Sequence, residues 1–282
     1  MGGGLGQIAF ASDREDNIPN IWISNVDGTG LVQLTNIPEG ACQPTWSPDG
    51  NRVAFIAPCS RNKEIYQGSS IFIINADGSN RIQLPSQAGG DYDPSWSPDG
   101  NKIAFVSLRA GGVPQIFVYD LVEGTTLHLA SSVLQSNSHP AWSPDGKYIV
   151  YVGSDDQIRV MQADGQERFI LSRNASDFKN VEPVWSPDGQ VVIFTQGVPT
   201  GSSVWLAAVP FSQDGGLPAQ IQNSDYLTEA AFSPDGFWIA TTGYPDGQRD
   251  IYIMTPNGVS RTQITDDAFY DFDPSWRPLV TP

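Results

Sequence analysis

The stretch "PSWSPDGNKIAF", residues 94–105, sets a Pro-Asp-Gly turn signal between two strand-like runs, and "PTWSPDGNRVAF" at 44–55 repeats it almost letter for letter. The core "WSPDG" recurs at 142–146 and 185–189, and a weaker copy, "FSPDG", lies at 232–236. Self-similarity at a regular period predicts a repeat architecture in which each copy forms one supersecondary unit.

Each copy begins with one anchoring aromatic residue, and a truncated copy, "PSWRP", ends the series at 274–278. The six anchors are Trp46, Trp96, Trp142, Trp185, Phe232 and Trp276. Their spacings of 43 to 50 residues suit one four-stranded propeller blade per repeat. The sequence therefore predicts an all-β fold, a six-bladed β-propeller of four-stranded antiparallel blades.

The two ends of the chain predict how the ring closes. Trp276 has no second strand after it, whereas "GQIAFAS" at 6–12 is a second strand without an anchor. Pairing 8–10 with 272–276 completes the last blade from one C-terminal and three N-terminal strands, which leaves no unpaired seam. We expect one propeller domain over 1–282 with residues 1–6 as a linker, cut from a longer protein.

The composition narrows the classes of partner. The formal charge of −16 disfavours nucleic acid and anionic membrane surfaces, both of which attract basic patches. No apolar run approaches the roughly 18 residues of a membrane span, and the N-terminus lacks the pattern of a signal peptide. We therefore expect a monomeric domain whose partner is a protein, a peptide or a small molecule, with a cation also possible.

The repeated motif is suited to a structural role. Pro presets φ at the second position of a type I turn, Asp suits the third, and Gly takes the left-handed fourth. The "N-x-D-G" stretches at 25–28 and 75–78 are typical of hairpin turns rather than calcium loops. Since the turns share one face of the ring, function is expected on the variable loops of the opposite face.

One position changes chemistry from copy to copy. Three residues before each anchor, equivalent inner strands place a ring of polar side chains around the predicted channel: Gln43, Asp93, His139, Glu182, Glu229 and Asp273. Oxygen ligands suit Ca²⁺ or Mg²⁺, so Asp93, Glu182, Glu229 and Asp273 are candidate metal ligands. The alternative is that each side chain caps a neighbouring backbone N–H around a water-filled channel.

Other residues are expected near the same mouth. A second tier, two positions earlier, would make the mouth more acidic: Asp91, Asn137, Asn180 and Asp271. Aromatic residues are enriched at recognition surfaces. Tyr92 and Phe272 stand next to ring residues, and the loop face carries six more aromatics: Tyr66, Phe178, Tyr226, Tyr244, Phe269 and Tyr270.

The two cysteines fall in one predicted hairpin. Folding about the turn at 48–50 brings Cys42 near Cys59, at a distance that a disulfide could span. A bridge would indicate an oxidising, extracytoplasmic compartment. Two neighbouring free thiols are the alternative.

Signatures of catalysis are missing from the sequence. There is no G-x-S-x-G elbow, no HExxH motif and no phosphate-binding glycine loop, so no catalytic residue is assigned. Of the two histidines, His139 belongs to the ring and His128 is predicted on the surface of an outer strand. Paired carboxylates at the mouth leave acid–base chemistry as an alternative.

The pattern "PSWSPDGxxIAFVS…IFVxNADGxxxxQLT" resembles the TolB-type, WD-like propeller repeat, which also occurs in the propellers of tricorn and prolyl-oligopeptidase-like proteins. The resemblance covers essentially the whole chain. It implies a non-catalytic binding or scaffold propeller outside the bacterial cytoplasm that requires no cofactor. The alternatives are a hydrolase or lyase that uses the channel-mouth carboxylates, or the accessory propeller of a peptidase.

Overall fold

A computed structural model describes residues 6–61, 65–129, 135–166, 168–172, 178–198, 201–208 and 218–279. Its 24 strands form six four-stranded antiparallel sheets, which are the six blades of a ring. The all-β propeller predicted from the repeats is therefore confirmed. Within the described residues, no helix is long and apolar enough to cross a membrane.

Blade 1 joins the two ends of the chain, and each other blade takes four consecutive strands. Blade 1 comprises β1 (Gln7–Ser12), β2 (Asn20–Asn25), β3 (Val32–Gln33) and β24 (Asp271–Trp276). Blade 2 comprises β4 (Cys42–Trp46), β5 (Arg52–Ala57), β6 (Ser70–Asn75) and β7 (Ile82–Gln83), and blade 3 comprises β8 (Asp91–Trp96), β9 (Lys102–Ser107), β10 (Gln115–Asp120) and β11 (Thr125–His128). Blade 4 comprises β12 (Asn137–Trp142), β13 (Tyr148–Gly153), β14 (Ile158–Gln162) and β15 (Phe169–Ser172). Blade 5 comprises β16 (Asn180–Trp185), β17 (Val191–Val198), β18 (Gly201–Ala208) and β19 (Ala219–Gln220), and blade 6 comprises β20 (Leu227–Phe232), β21 (Ile239–Gly243), β22 (Asp250–Met254) and β23 (Arg261–Gln263).

The ring closes as its termini predict. The strand order of blade 1 is β24-β1-β2-β3, with Ile8 opposite Trp276 and Ser12 opposite Asp271. One strand from the C-terminus is thus the innermost strand of a blade whose other three strands come from the N-terminus. The pairing of β24 with β1 covers the edge of β1 that would otherwise be open.

The middle strands hold the ring together because they are apolar on both faces. In β5 and β9 every residue after the first is buried, and residues from successive blades form shared core clusters. The outermost strands of blades 1 and 2 are short. β3 and β7 have two residues each, both exposed, because they border solvent on their outer edge.

The Pro-Asp-Gly turns have the predicted geometry. In blade 2, Gly50 N donates to Ser47 O at 2.8 Å, and the φ of Gly50 is +65°. The anchors link blades, since Trp96 Nε1 donates to Thr45 O at 3.1 Å. The repeated motif therefore builds the scaffold, as its composition predicts.

Candidate functional site: the channel mouth

The six ring residues lie at β-bulges in the innermost strands. In each blade the pairing between the first and second strands shifts register around the ring position. All six residues have a left-handed backbone, with φ between 51° and 55°. A bulge re-aims a side chain, so these residues line the channel: Gln43, Asp93, His139, Glu182, Glu229 and Asp273.

Hydrogen bonds join the ring from blade to blade. In five places a ring side chain accepts a hydrogen bond, of 2.8 to 3.2 Å, from the backbone N–H of the ring residue in the next blade. These bonds run from Asp93 N to Gln43 Oε1, from His139 N to Asp93 Oδ2, from Glu229 N to Glu182 Oε2, from Asp273 N to Glu229 Oε2, and from Gln43 N to Asp273 Oδ2. The side chains thus satisfy backbone donors that the bulges release from the strand ladder.

The ring forms the floor of an open cavity of about 530 Å³ on the loop face. A second cavity of about 220 Å³ lies beyond the ring and is lined by the prolines that follow the ring residues, such as Pro44 and Pro94. All six ring residues border both cavities. The ring is therefore the neck of the central channel.

One wall of the mouth cavity is apolar. Ile65, Tyr66, Tyr92 and Phe272 line it, and the rings of Tyr66 and Tyr92 lie 5.9 Å apart. Ile65 remains 46% exposed, whereas Tyr92 and Phe272 are buried. Both aromatic residues assigned to the mouth from sequence thus lie there.

The opposite wall is polar, and only part of the predicted aromatic set reaches the cavity. Ser138, Lys179, Asn180 and Tyr244 line this wall. The Tyr244 hydroxyl shares a hydrogen bond of 2.7 Å with the Ser202 hydroxyl. An apolar wall facing a polar one suits a ligand with two chemically different ends.

The ring carboxylates are electrostatically coupled. Burial, together with the charge of Glu229, raises the pKa of Glu182 to about 7. Burial and the charges of Glu229 and Glu182 raise the pKa of Asp273 well above its ordinary value. Arg249 approaches Glu229 at 3.6 Å and partly offsets the negative charge.

The metal site expected at the ring stays a prediction. Within the described residues no group of three or more His, Cys, Asp or Glu side chains is arranged to hold a metal ion. Each carboxylate of the candidate set has at least one oxygen hydrogen-bonded to a backbone N–H. Oδ1 of Asp93 accepts a hydrogen bond from Gln43 Nε2, and Oε1 of Glu229 faces Arg249 at 3.6 Å. Among the described residues, Oε1 of Glu182 and Oδ1 of Asp273 are therefore the carboxylate oxygens best placed for a cation.

The second tier does not make the mouth more acidic, because arginines neutralise its two carboxylates. Arg109 Nη2 donates to Asp91 Oδ2 at 2.7 Å, and both side chains are at least nine-tenths buried. Arg14 Nη2 lies 2.9 and 3.0 Å from the two carboxylate oxygens of Asp271. Of the tier, Asn180 borders the mouth cavity.

The arginines were missed in the sequence although a signal exists. Each stands at the end of a Ser-x-Arg triplet after a second strand, "SDR" at 12–14 and "SLR" at 107–109. In both, the arginine Nε donates to the triplet serine, at 2.9 Å for Arg14 and 2.8 Å for Arg109. The pairs Asp271–Arg14 and Asp91–Arg109 each join the innermost strand of a blade to the loop that follows the second strand of the same blade. We call this contact the strand-to-loop lock.

Blade 2 has a covalent strand-to-loop lock. Cys42 and Cys59 form a disulfide with their Cα atoms 5.8 Å apart. Cys59 N also donates to Glu39 O at 3.0 Å. The bridge holds the loop that carries Tyr66 against the innermost strand of blade 2.

His128 lies on the predicted outer strand but is not a simple surface residue. Its ring stacks on Phe117 with centroids 4.4 Å apart and planes 10° apart. Burial and the charge of Arg168 lower its pKa. His128 therefore packs against the sheet, far from the ring in the strand order of blade 3.

Comparison with known proteins yields short matches to curated sequences. A segment of 58 residues is 34% identical to the uncharacterized peptidase YuxL of Bacillus subtilis (strain 168), covering 21% of this chain and 9% of that protein. A segment of 60 residues is 32% identical to the Tol-Pal system protein TolB of Polaromonas sp. (strain JS666 / ATCC BAA-500), covering 21% of this chain and 14% of that protein. The matched segments thus span less than a sixth of either relative.

Matches to the fold and to the family model extend much further. TolB from Acinetobacter baumannii superposes with a TM-score of 0.80 at 20% identity, over 97% of this chain and 67% of that chain. The family model described as the TolB beta propeller domain matches residues 5–226, well over half of the sequence. The chain therefore belongs to the TolB beta-propeller domain family.

Proposed function

We propose that this chain is a non-catalytic binding propeller that recognises a protein or peptide, or a small ligand, through its channel mouth. The observation that carries the proposal is the open cavity of about 530 Å³ whose floor is the polar ring. A concave site with an apolar wall and a few convergent polar groups is the usual form of a ligand pocket.

The chemistry of the mouth selects the ligand. Burial and mutual repulsion raise the pKa of Glu182 and of Asp273 within the ring of four carboxyl groups, so a cationic group that relieves this repulsion is favoured at the floor. Ile65, which is 46% exposed, offers an apolar surface beside that floor, and the buried rings of Tyr66 and Tyr92 lie behind it. The best match is a peptide segment that carries a lysine or arginine next to an aromatic or aliphatic residue.

A divalent cation is a second occupant that the proposal accommodates. Asp93, Glu182, Glu229 and Asp273 would hold Ca²⁺ or Mg²⁺ through oxygens, and the ion would compete with a cationic peptide. Titration calorimetry with calcium chloride tests this ligand set. Heat of binding that disappears in Glu182→Gln supports a cation at the ring, and no heat in the wild type refutes it.

We place the protein outside the cytoplasm. The disulfide between Cys42 and Cys59 supports an oxidising compartment. The similarity to proteins named for the Tol-Pal system agrees with this proposal. Detection of the bridge in protein isolated from its native source would test it.

An enzymatic function is the alternative, and one observation favours it. Glu182, whose pKa is raised to about 7, shares the ring with other carboxylates and could donate a proton near neutral pH. That arrangement would suit a hydrolase or lyase. An accessory role beside the catalytic domain of a peptidase is the other alternative, given the match to YuxL.

Binding at the mouth can be tested with defined peptides. We expect acetyl-Lys-Phe-amide to bind more tightly than acetyl-Glu-Phe-amide, measured by shifts of backbone amide resonances around the ring. The double variant Glu182→Gln/Glu229→Gln keeps the oxygens that accept backbone hydrogen bonds but removes charge. It should weaken binding of the lysine peptide roughly tenfold.

The matched control is Asp188→Asn, which removes a charge on the turn face far from the ring. It should leave the affinity unchanged. Equal binding of the two peptides, or equal losses in the double variant and the control, would refute recognition at the mouth. Peptide cleavage during the titration would favour the enzymatic alternative.

A further inference from the structure

A second candidate site lies on the turn face, in the cleft between blades 3 and 4. The cleft encloses about 680 Å³, whereas the corresponding cleft between blades 4 and 5 encloses about 240 Å³. Apolar side chains form its floor, among them Val118, Leu127 and Trp142. This cleft is separated from the channel mouth by the full height of the blades.

The chain itself covers the equivalent aromatic anchors of two other clefts. The guanidinium of Arg277 lies over the ring of Trp46, 4.8 Å from its centroid, and that of Arg52 lies over Trp96 at 4.9 Å. Arginine binds aromatic faces through the ring quadrupole. In the described part of the chain no cation lies over Trp142 in this way.

One pair of residues explains why the third anchor is uncovered. Lys102 stands in blade 3 where Arg52 stands in blade 2, as the strand registers show. The residue opposite Lys102 is Asp120, whereas the residue opposite Arg52 is the neutral Asn75. Asp120 Oδ2 holds the Lys102 ammonium at 3.2 Å, so this cation stays with Asp120.

The rim of the cleft is acidic. Aspartates 99, 120, 145 and 164 border it, and Lys102 is the one basic residue among the described lining residues. The Ser97 hydroxyl lowers the pKa of Asp99, and the backbone N–H of Glu123 lowers that of Asp120. Both carboxylates are therefore ionised at neutral pH, and the rim attracts a cation.

The floor also has an unused donor. Nε1 of Trp142 is buried and has no hydrogen-bond partner within the described residues, as is also the case for the anchors Trp46 and Trp276, whereas Nε1 of Trp96 donates to Thr45 O. A buried donor without a partner costs free energy.

We propose that the cleft between blades 3 and 4 binds an arginine side chain of a partner protein, presented with apolar neighbours. The guanidinium would lie over Trp142 as Arg52 lies over Trp96, within reach of the aspartate rim. Leu127, which is 53% exposed, would contact the apolar neighbours. The site is independent of the channel mouth and of the function proposed there.

The test uses short peptides and the indole resonance of Trp142, assigned by its loss in Trp142→Phe. Acetyl-Leu-Arg-Leu-amide should shift this resonance in a saturable way, and acetyl-Leu-Gln-Leu-amide should shift it much less. An absence of saturation at millimolar peptide, or equal shifts with both peptides, would overturn the proposal. A shift that grows with protein concentration without peptide would assign the cleft to a second copy of this chain instead.

A double variant sharpens the test. Lys102→Arg/Asp120→Asn recreates the Arg52–Asn75 pair of blade 2, and asparagine keeps the oxygen that caps Val122 N and Glu123 N. The new arginine should cover Trp142 and weaken peptide binding roughly tenfold. Lys102→Arg alone should keep its partner Asp120 and retain binding, and unchanged affinity in the double variant would contradict the proposal.

Discussion

Blades 2 and 3 are near copies in sequence, yet they fasten the same loop by different chemistry. Cys59 and Arg109 both follow their anchor tryptophan by 13 residues. Cys59 bonds covalently to Cys42 on the innermost strand, and Arg109 forms an ion pair with Asp91 one position earlier on the equivalent strand. In blades 1 to 3 the lock therefore stands at the same place in the repeat, and its chemistry is a disulfide in blade 2 and an ion pair in blades 1 and 3.

The two locks act on different states of the chain. A disulfide restricts the unfolded chain and is stabilising mainly for that reason. The Asp91–Arg109 pair exists in the folded state, where the guanidinium also lies 5.3 and 5.0 Å from the ring centroids of Phe105 and Phe117. The stability of blade 3 consequently depends on the pairing of Asp91 with Arg109, and the stability of blade 2 depends on whether its disulfide is oxidised.

The largest expected effect comes from breaking the lock of blade 3. Arg109→Ala leaves Asp91 buried without its cation, which should lower the free energy of unfolding by about 3 to 5 kcal/mol. Urea denaturation followed by tryptophan fluorescence measures it. Arg109→Ala/Asp91→Asn removes the stranded charge and should recover part of the loss. A loss below about 1 kcal/mol in the single variant would show that water or another group compensates Asp91.

Opening the lock of blade 2 should have a smaller effect. Replacing Cys42 and Cys59 with alanine opens a closed loop of 17 residues and should cost about 3 kcal/mol. Reductant should destabilise the wild type by a similar amount and leave the double variant unchanged. Titration of two free thiols in the unfolded, unreduced protein would contradict the bridge.

The lock of blade 1 permits a pH test. Its Asp271–Arg14 pair lies beside Asp250, whose pKa is raised to about 6 by burial and by Asp271. A raised pKa means that the protonated folded state is favoured, so this contribution to stability is full below about pH 4 and is lost as the pH rises through about 6. Asp250→Asn, which copies Asn20 in the same strand position of β2, should therefore be more stable than wild type above this range.

The expected gain is about 1 to 2 kcal/mol near pH 7.5, shrinking towards zero near pH 4. Thermal denaturation at a series of pH values measures it, with Asp235→Asn on the turn face as the control. A gain that does not vary with pH would show that Asp250 stays ionised throughout. Thr265 and Gln263 donate hydrogen bonds to Asp250 and are the groups that could keep it so.

The fold and the ring were predictable from the sequence because both are periodic. The anchor spacing gives the blade number, and one offset from each anchor finds all six channel residues. The ion pairs of the locks were less predictable because the role of each residue depends on a partner outside its own motif. Asp271 and Arg14 are 257 residues apart and meet only through ring closure. From its position in the repeat, Asp91 was therefore predicted at the mouth. Its partner, Arg109, lies in the loop after the next strand, and the repeat pattern does not reveal that the two side chains meet.

The bulge at the ring limits what this channel can become. Each ring position must tolerate a φ near +50° and should also present an acceptor to the N–H of the next blade. Side chains of Asp, Asn, Glu and Gln can meet both conditions, whereas aliphatic side chains lack an acceptor and β-branched side chains disfavour a positive φ. Exchange between acidic and amide side chains at these six positions can thus change the charge of the channel in unit steps while the hydrogen bonds between blades are kept, but an apolar neck would lose those bonds. The channel neck of this propeller can therefore vary in charge from one sequence to another, whereas its polarity is fixed by the backbone.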